Sequence, residues 1–234
     1  MNYQEYECGQ VFDVVEIIKN KQREFCNART PLIRGERKVS FEPTAGVFRN
    51  QFSKDNEIVI FNEFQRHLPA YEKVDISNLW NVMTLAQHHG LPTRLLDWTT
   101  NPLVALYFSC EGESDEDSAV WVVWGFENTS DLPFNPTDVD TIMTMIPMVI
   151  SPRIKAQAGK FTVHPNGNPI TEFLTENDHV VKIIIPNEQR FRIILQLDFL
   201  GVNRSSLFPD LDGLSQYLKW KVNPERIRFG ASRA

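Results

Sequence analysis

A chain of 234 residues with 42% hydrophobic and 11% aromatic content is long enough to bury a full core, and it reads as one domain over 1–234, with an N-terminal helix over 11–25 and a core over 30–220. A formal charge of -6 and a pI near 5.4 argue against a general phosphate-backbone binder, because non-specific nucleic-acid affinity comes from Lys and Arg displacing counterions, although a local basic groove stays compatible with them. No apolar run reaches membrane-spanning length, the amino terminus has no basic-then-apolar export signal, and Cys8, Cys26 and Cys110 lack metal-site spacing, so a cytoplasmic protein with free thiols, no metal and no membrane partner is expected.

Val11, Val14, Val15 and Ile18 recur at helical spacing and predict an amphipathic helix over 11–25, which Pro31 bars from continuing. Residues 30–35 (TPLIRG) read as a short strand that presents Arg34 at its end. Ile58, Phe61, Phe64 and Leu68 mark one face of a second helix, with Glu63 and Arg66 placed around it. A third helix is predicted over 76–89 from Leu79, Val82, Met83 and Ala86; Gly90 stands where a left-handed cap is expected and Pro92 prevents resumption, so His88 and His89 fall in the last turn. Successive helical residues diverge by about 100 degrees, which turns one histidine inward and the other outward and argues against a shared metal ion.

Thr99, Thr100 and Asn101 precede Pro102 and the run LVALYFSC, the arrangement of an N-cap, a first-position proline and a buried helix whose free N–H groups would seat an anion. The acidic loop 111–118 is expected to be solvated, and AVWVVWGF over 119–126 to form a central buried strand. After a polar, proline-bearing connection over 128–140, strands are predicted over 160–163, 180–185 and 191–197, with a hairpin turn over 186–189. Near the carboxyl end, SLFPDLDGLSQYLKW predicts a turn and a short helix packing Leu207, Phe208, Leu211, Leu214 and Leu218 onto the sheet, with Asp210 and Asp212 as helix-start carboxylates. The fold class is α+β: N-terminal helices packed on a mixed, largely antiparallel sheet.

The segment 85–110 is the densest in polar chemistry. Arg34, His88, His89, Arg94, Asp97, Thr99 and Thr100 offer cations and hydroxyls beside a helix N-terminus, a set suited to a nucleotide or phosphate ester. Trp98 fits either a core indole or a platform for a ring. The plain alternative is structural: Arg94 and Asp97 as an ion pair, the threonines as caps, and His89 donating to a backbone carbonyl. No Gly-x-Ser-x-Gly elbow, His-Glu-x-x-His pattern, phosphate-cradling GxxxxGK[ST] loop or GxGxxG fingerprint occurs, so the common hydrolase, metalloprotease and nucleotide-fold signatures are missing.

The run AQHHGLPTRLLDWTTNPLVALYF, with the upstream Arg34–Gly35 and the later LFPDLDGL, resembles the FRG domain over roughly 31–219. This is a bacterial and phage-borne family named for an aromatic–Arg–Gly motif, and Ile33 stands where it prefers an aromatic. The motif order is further similar to ADP-ribosyltransferases of the Arg–Ser–Glu type, which implies a split sheet with NAD bound as substrate and no metal. In that likeness Arg34 holds the NAD pyrophosphate or adjoining ribose, Thr99 and Thr100 shape the nicotinamide pocket, and Gly35, Arg94, Trp98 and Asn101 complete the binding set. The late glutamate strand of such enzymes falls at 153–163, where this chain offers Gln157. Glutamine hydrogen-bonds a ribose hydroxyl but supplies no negative charge, so Glu63 and Asp97 are the candidate substitutes, with His88 or His89 as acid–base groups. Glu63 equally fits a surface pair with Arg66. The resemblance implies ADP-ribose transfer to a macromolecular acceptor, protein or nucleic acid, or NAD hydrolysis, in a toxin-like or phage-conflict setting compatible with a regulatory or antitoxin partner. The alternative is a non-catalytic nucleotide or phosphoester sensor, or a protein-interaction domain.

Overall fold

Where apolar residues run without interruption, both faces of a strand must be covered, and the run 119–126 lies at the centre of the sheet for that reason. A computed structural model describes residues 3–25, 30–49, 52–126, 132–149, 151–176 and 178–222. Its strands are β1 (Gln4–Glu7), β2 (Leu32–Glu36), β3 (Leu95–Thr99), β4 (Ser118–Trp124), β5 (Met143–Met145), β6 (Gly159–Val163) and β7 (His179–Ile185). They form one mixed sheet in the order β1-β7-β4-β2-β3-β6-β5, with β1 parallel to β7 and the other pairs antiparallel.

Alternate residues of β4 feed two cores. Val120, Val122 and Trp124 pack with α1 (Val11–Glu24), α5 (Pro102–Cys110) and α7 (Asn187–Phe199), while Ala119, Trp121 and Val123 pack with Leu96, Trp98 and Ile170 on the opposite face. A third core joins α3 (Lys54–His67) and α4 (Leu79–His88) to β3 and β6 through Phe61, Val82, Met83, Leu95 and Val163. The remaining short helices are α2 (Gly46–Arg49), α6 (Pro152–Ala156) and α8 (Arg204–Leu207), followed by α9 (Leu211–Lys221). Cys8 and Cys110 are buried free thiols; Cys26 lies outside the described residues. No helix among the described residues is long and apolar enough to cross a membrane.

Several expectations are corrected. The strand and hairpin turn expected over 186–197 are the helix α7, whose buried residues Arg190, Ile193 and Leu197 follow steps of three and four that the β-branched character of the run conceals. The strand placed at 30–35 begins and ends later, at Leu32–Glu36. β1, β3 and β5 are too short, or too interrupted by polar residues, to stand out as periods. Leu211, Leu214 and Leu218 do not pack on the sheet: they are 79%, 43% and 52% exposed. α9 turns Gly213 toward the Phe208 backbone instead, where any Cβ would collide with the Phe208 carbonyl oxygen, and its leucine stripe is left on the far side. Asp210 does cap α9, accepting from the Gly213 amide at 2.7 Å.

Candidate functional site

The sheet is split in its middle. β2 and β3 share one register pair, Ile33 with Thr99, whereas β2 pairs with β4 over five residues and β3 with β6 over five. Beyond Ile33 a side chain replaces the missing ladder: Arg34 Nη1 donates to the Asp97 carbonyl oxygen at 2.8 Å. Packing of α5 accounts for the neighbouring glycine. A Cβ on Gly35 would collide with the Ala105 carbonyl oxygen and stand 2.5 Å from the Ser109 amide nitrogen, so the glycine lets strand and helix backbones meet rather than making room for a ligand.

A cleft of about 460 Å³ opens at the split. Its apolar lining includes Ile33, Phe41, Trp98, Val104, Phe108 and Phe161, and its polar lining includes Arg34, Glu36, Arg49, His88, Asp97 and Arg153. Strand alternation puts Arg34 and Glu36 on one face, and Arg34 Nε donates to Glu36 Oε1 at 2.5 Å, with 13% and 5% of the two side chains exposed. Asp97 is exposed but oriented. Thr93 Oγ1 donates to Gln87 Oε1 at 2.8 Å, and the Gln87 amide donates to Asp97 Oδ2 at 2.6 Å. Oδ1 of Asp97 has no hydrogen-bond partner among the described residues.

Arg37 lines the cleft just after β2 and pairs with Glu111 at 3.5 Å, and two further arginines reach it from other elements. Arg49 ends α2 and Arg153 lies in α6. Burial lowers the pKa of each; Arg34 lowers that of Arg49 further, while Asp97 acts the other way on both. The Arg153 guanidinium lies 4.4 Å from the Phe208 ring centre. His88 is half-buried, and burial, then the charges of Arg153 and His89, depress its pKa, leaving it the neutral donor–acceptor form near pH 7.

Other singled-out residues lie elsewhere or are engaged by the protein. Arg94 is 1% exposed and forms a two-pronged ion pair with Glu57 at 2.9 and 2.7 Å; its partner is Glu57 and not Asp97. Glu63 is on the outer face of α3, paired with Arg66 at 2.9 Å and near His67. His89 is exposed, its ring edge-on to His88. Trp98 is 3% exposed and donates its indole N–H to Thr162 Oγ1, so it offers an edge of the wall, not a free stacking face.

Thr99 Oγ1 donates to the Gln157 carbonyl oxygen and accepts from the Asn101 amide, and the Thr100 amide donates to the Ala158 carbonyl oxygen. The start of α5 is closed to anions: Pro102 has no N–H, the Leu103 amide bonds Asn101 Oδ1, and those of Val104 and Ala105 bond the Asn101 carbonyl oxygen. Gln157 caps the end of α6 instead of standing on a strand. It lines the cleft while its amide donates to the Leu207 carbonyl oxygen at 3.1 Å.

The cleft therefore gathers Arg34, His88, Asp97, Thr99 and Gln157, and adds Glu36, Arg49, Gln87 and Arg153. The i, i+2 spacing of Arg34 and Glu36 was a legible signal; Arg49 and Arg153, in helices of four and five residues, carry none. Among the described residues no group of three or more His, Cys, Asp or Glu could hold a metal ion.

Residues 30–118 match the family model of the FRG domain. No curated protein and no solved structure is similar enough to this chain to count as a match. The matched stretch runs from β2 to the first residue of β4, shorter than the resemblance over 31–219. It includes the Arg34, Arg49, His88 and Asp97 walls of the cleft and ends before Arg153 and Gln157.

Proposed function

We propose that the split-sheet cleft binds NAD and that the protein cleaves its nicotinamide–ribose bond, passing ADP-ribose to a macromolecular acceptor or to water. The observation that carries this reading is the half-free carboxylate of Asp97, held by Gln87 at the mouth of an arginine-lined, apolar-walled cleft. In such a reaction nicotinamide leaves with the bonding electron pair, and positive charge develops on the ribose. A fixed carboxylate that engages a ribose hydroxyl stabilises that charge more in the transition state than in the substrate. The nucleophile then bonds to the ribose carbon and its proton passes to solvent. Asp97 thus takes the part of the late glutamate, while Gln157 stays tied to Leu207. The setting that follows is a cytoplasmic effector, toxin-like or active in phage conflict, held in check by a regulatory or antitoxin partner.

Incubation with NAD labelled in the adenylate half, followed by measurement of released nicotinamide and of label on macromolecules, tests this. Release that disappears in Asp97→Asn with folding intact supports it. No release, no transfer and no calorimetric binding of NAD by the native chain would sink it. Gln157, an uncharged amide tied to a backbone carbonyl where the resemblance places a glutamate, favours a second reading, a nucleotide sensor. That reading predicts NAD binding with no release.

A further inference from the structure

The arginines at or near the cleft divide into those that have carboxylate partners, among them Arg37 with Glu111 at 3.5 Å, and those that do not. Arg94 is closed off by Glu57. Arg34 bonds both Glu36 and the Asp97 carbonyl, so its guanidinium joins the two halves of the sheet. Arg49 and Arg153 line the cleft and, among the described residues, neither has a carboxylate within ion-pair distance or a side-chain hydrogen bond. The charges acting on Arg49 are those of Arg34, Glu36 and Asp97, and those acting on Arg153 are Asp97, Asp210, Arg204 and Glu111. Asp97 is the one carboxylate common to both. Arg153 is half-buried and Arg49 is more exposed; a cleft cation without a counter-charge gains from an anion that reaches it, the more so where it is partly desolvated.

We infer that the ligand of this cleft carries a diphosphate, which Arg49 and Arg153 both grip, with the Asp97 carboxylate, whose charge acts on both, left for a ribose hydroxyl. A diphosphate reaches farther than one phosphate and offers each guanidinium its own set of oxygens, and the planar fork of arginine suits such oxygens in pairs. Arg34 then acts as a clasp of the split sheet and not as the main phosphate contact. The apolar lining from Phe41, Val104 and Phe108 leaves room for a ring at the ends of the diphosphate. This assignment rests on the nucleotide reading above, but it concerns binding and does not require turnover.

Calorimetry with ADP-ribose and AMP on the native chain and on Arg49→Gln and Arg153→Gln tests it, with melting temperatures as a check on folding and Arg49→Lys and Arg153→Lys as conservative companions. Loss of a charge-assisted contact predicts that ADP-ribose affinity falls roughly ten- to hundredfold in each glutamine variant. The lysine variants should fall between, and the native preference for ADP-ribose over AMP should vanish. If the native chain binds AMP as tightly as ADP-ribose, or the glutamine variants bind ADP-ribose unchanged, the diphosphate assignment is overturned even where nicotinamide release still occurs. Arginine-dependent ADP-ribose binding without nicotinamide release supports the assignment and removes the catalytic reading. A native chain that binds neither NAD nor ADP-ribose overturns both.

Discussion

Arg94, just before β3, and Asp97, in the middle of that strand, stand three residues apart, and the fold treats them in opposite ways. Arg94 points into the space between α3 and β3, where Glu57 meets it with both side chains 2% exposed. Asp97 sits at the split between β2 and β3, with one oxygen held by Gln87 and the other open. The first is a closed charge: its partner and geometry are complete within the protein, and its work is to hold α3 against the sheet. The second is an open charge, oriented but unfinished. Which of two neighbouring ionised residues belongs to the scaffold and which to the site is decided by where the carboxylate and guanidinium partners fall, not by residue type.

The closed pair should break most expensively. Arg94→Leu leaves Glu57 buried without a counter-ion and is expected to remove about 3–5 kcal/mol of unfolding free energy, measured by denaturant titration, with Glu57→Leu in the same chain restoring much of it. A loss within the roughly 0–1 kcal/mol range of exposed pairs would show that the two side chains are not a buried unit.

Next in size is a pH effect on the scaffold side. Burial pushes the His164 imidazole from 6.5 down to about 4, so between those values the unfolded chain binds a proton that the folded chain refuses. Stability from this group is full above about 6.5 and is lost as pH falls toward about 4, by up to about 1.4 kcal/mol per pH unit. His164→Gln should flatten that part of the stability–pH curve, and an unchanged slope would refute the assignment.

Arg34 lies between the two classes, because it lines the cleft yet completes Glu36. Arg34→Ala leaves Glu36 buried with one bond fewer, and a loss of about 1–3 kcal/mol is expected, readable as a lowered urea midpoint; stability equal to the native chain would place Arg34 with the open charges. Asp97→Asn sharpens the contrast from the other side. Its unfolding free energy should stay within about 0.5 kcal/mol of the native value, while nicotinamide release falls to background. Smallest of all, Glu63→Gln should change neither, since its partners Arg66 and His67 are surface groups and exposed pairs of this kind contribute about 0–1 kcal/mol; a fall in nicotinamide release would return Glu63 to the site.

Much of the framework is legible in the sequence because it follows from local rules. Gly90, with φ of +85°, ends α4 because only glycine enters that region freely. Asn101 and Pro102 start α5, and the unbroken run at β4 demands cover on both faces. The anion seat expected at the same α5 terminus fails for a reason equally local in kind but invisible in a string: Asn101 folds back with both its side-chain and main-chain oxygens to take the free amides. Helix α7 was obscured because a run of Phe, Ile and Leu satisfies a strand pattern until burial reveals which positions face inward.

The sequence by itself determined that a stiff, polar segment lies between two buried elements and that the fold is α+β. It could do so because caps, turns and burial periods are set by neighbours within a few positions. Only the tertiary structure decided that Arg94 answers to Glu57, that Glu63 faces outward, and that Arg49 and Arg153 meet at the cleft. Those outcomes depend on how α3 packs against β3 and, for the cleft, on the single-pair junction of β2 and β3, which gathers residues as far apart in sequence as Arg49 and Arg153, and no local pattern encodes such contacts.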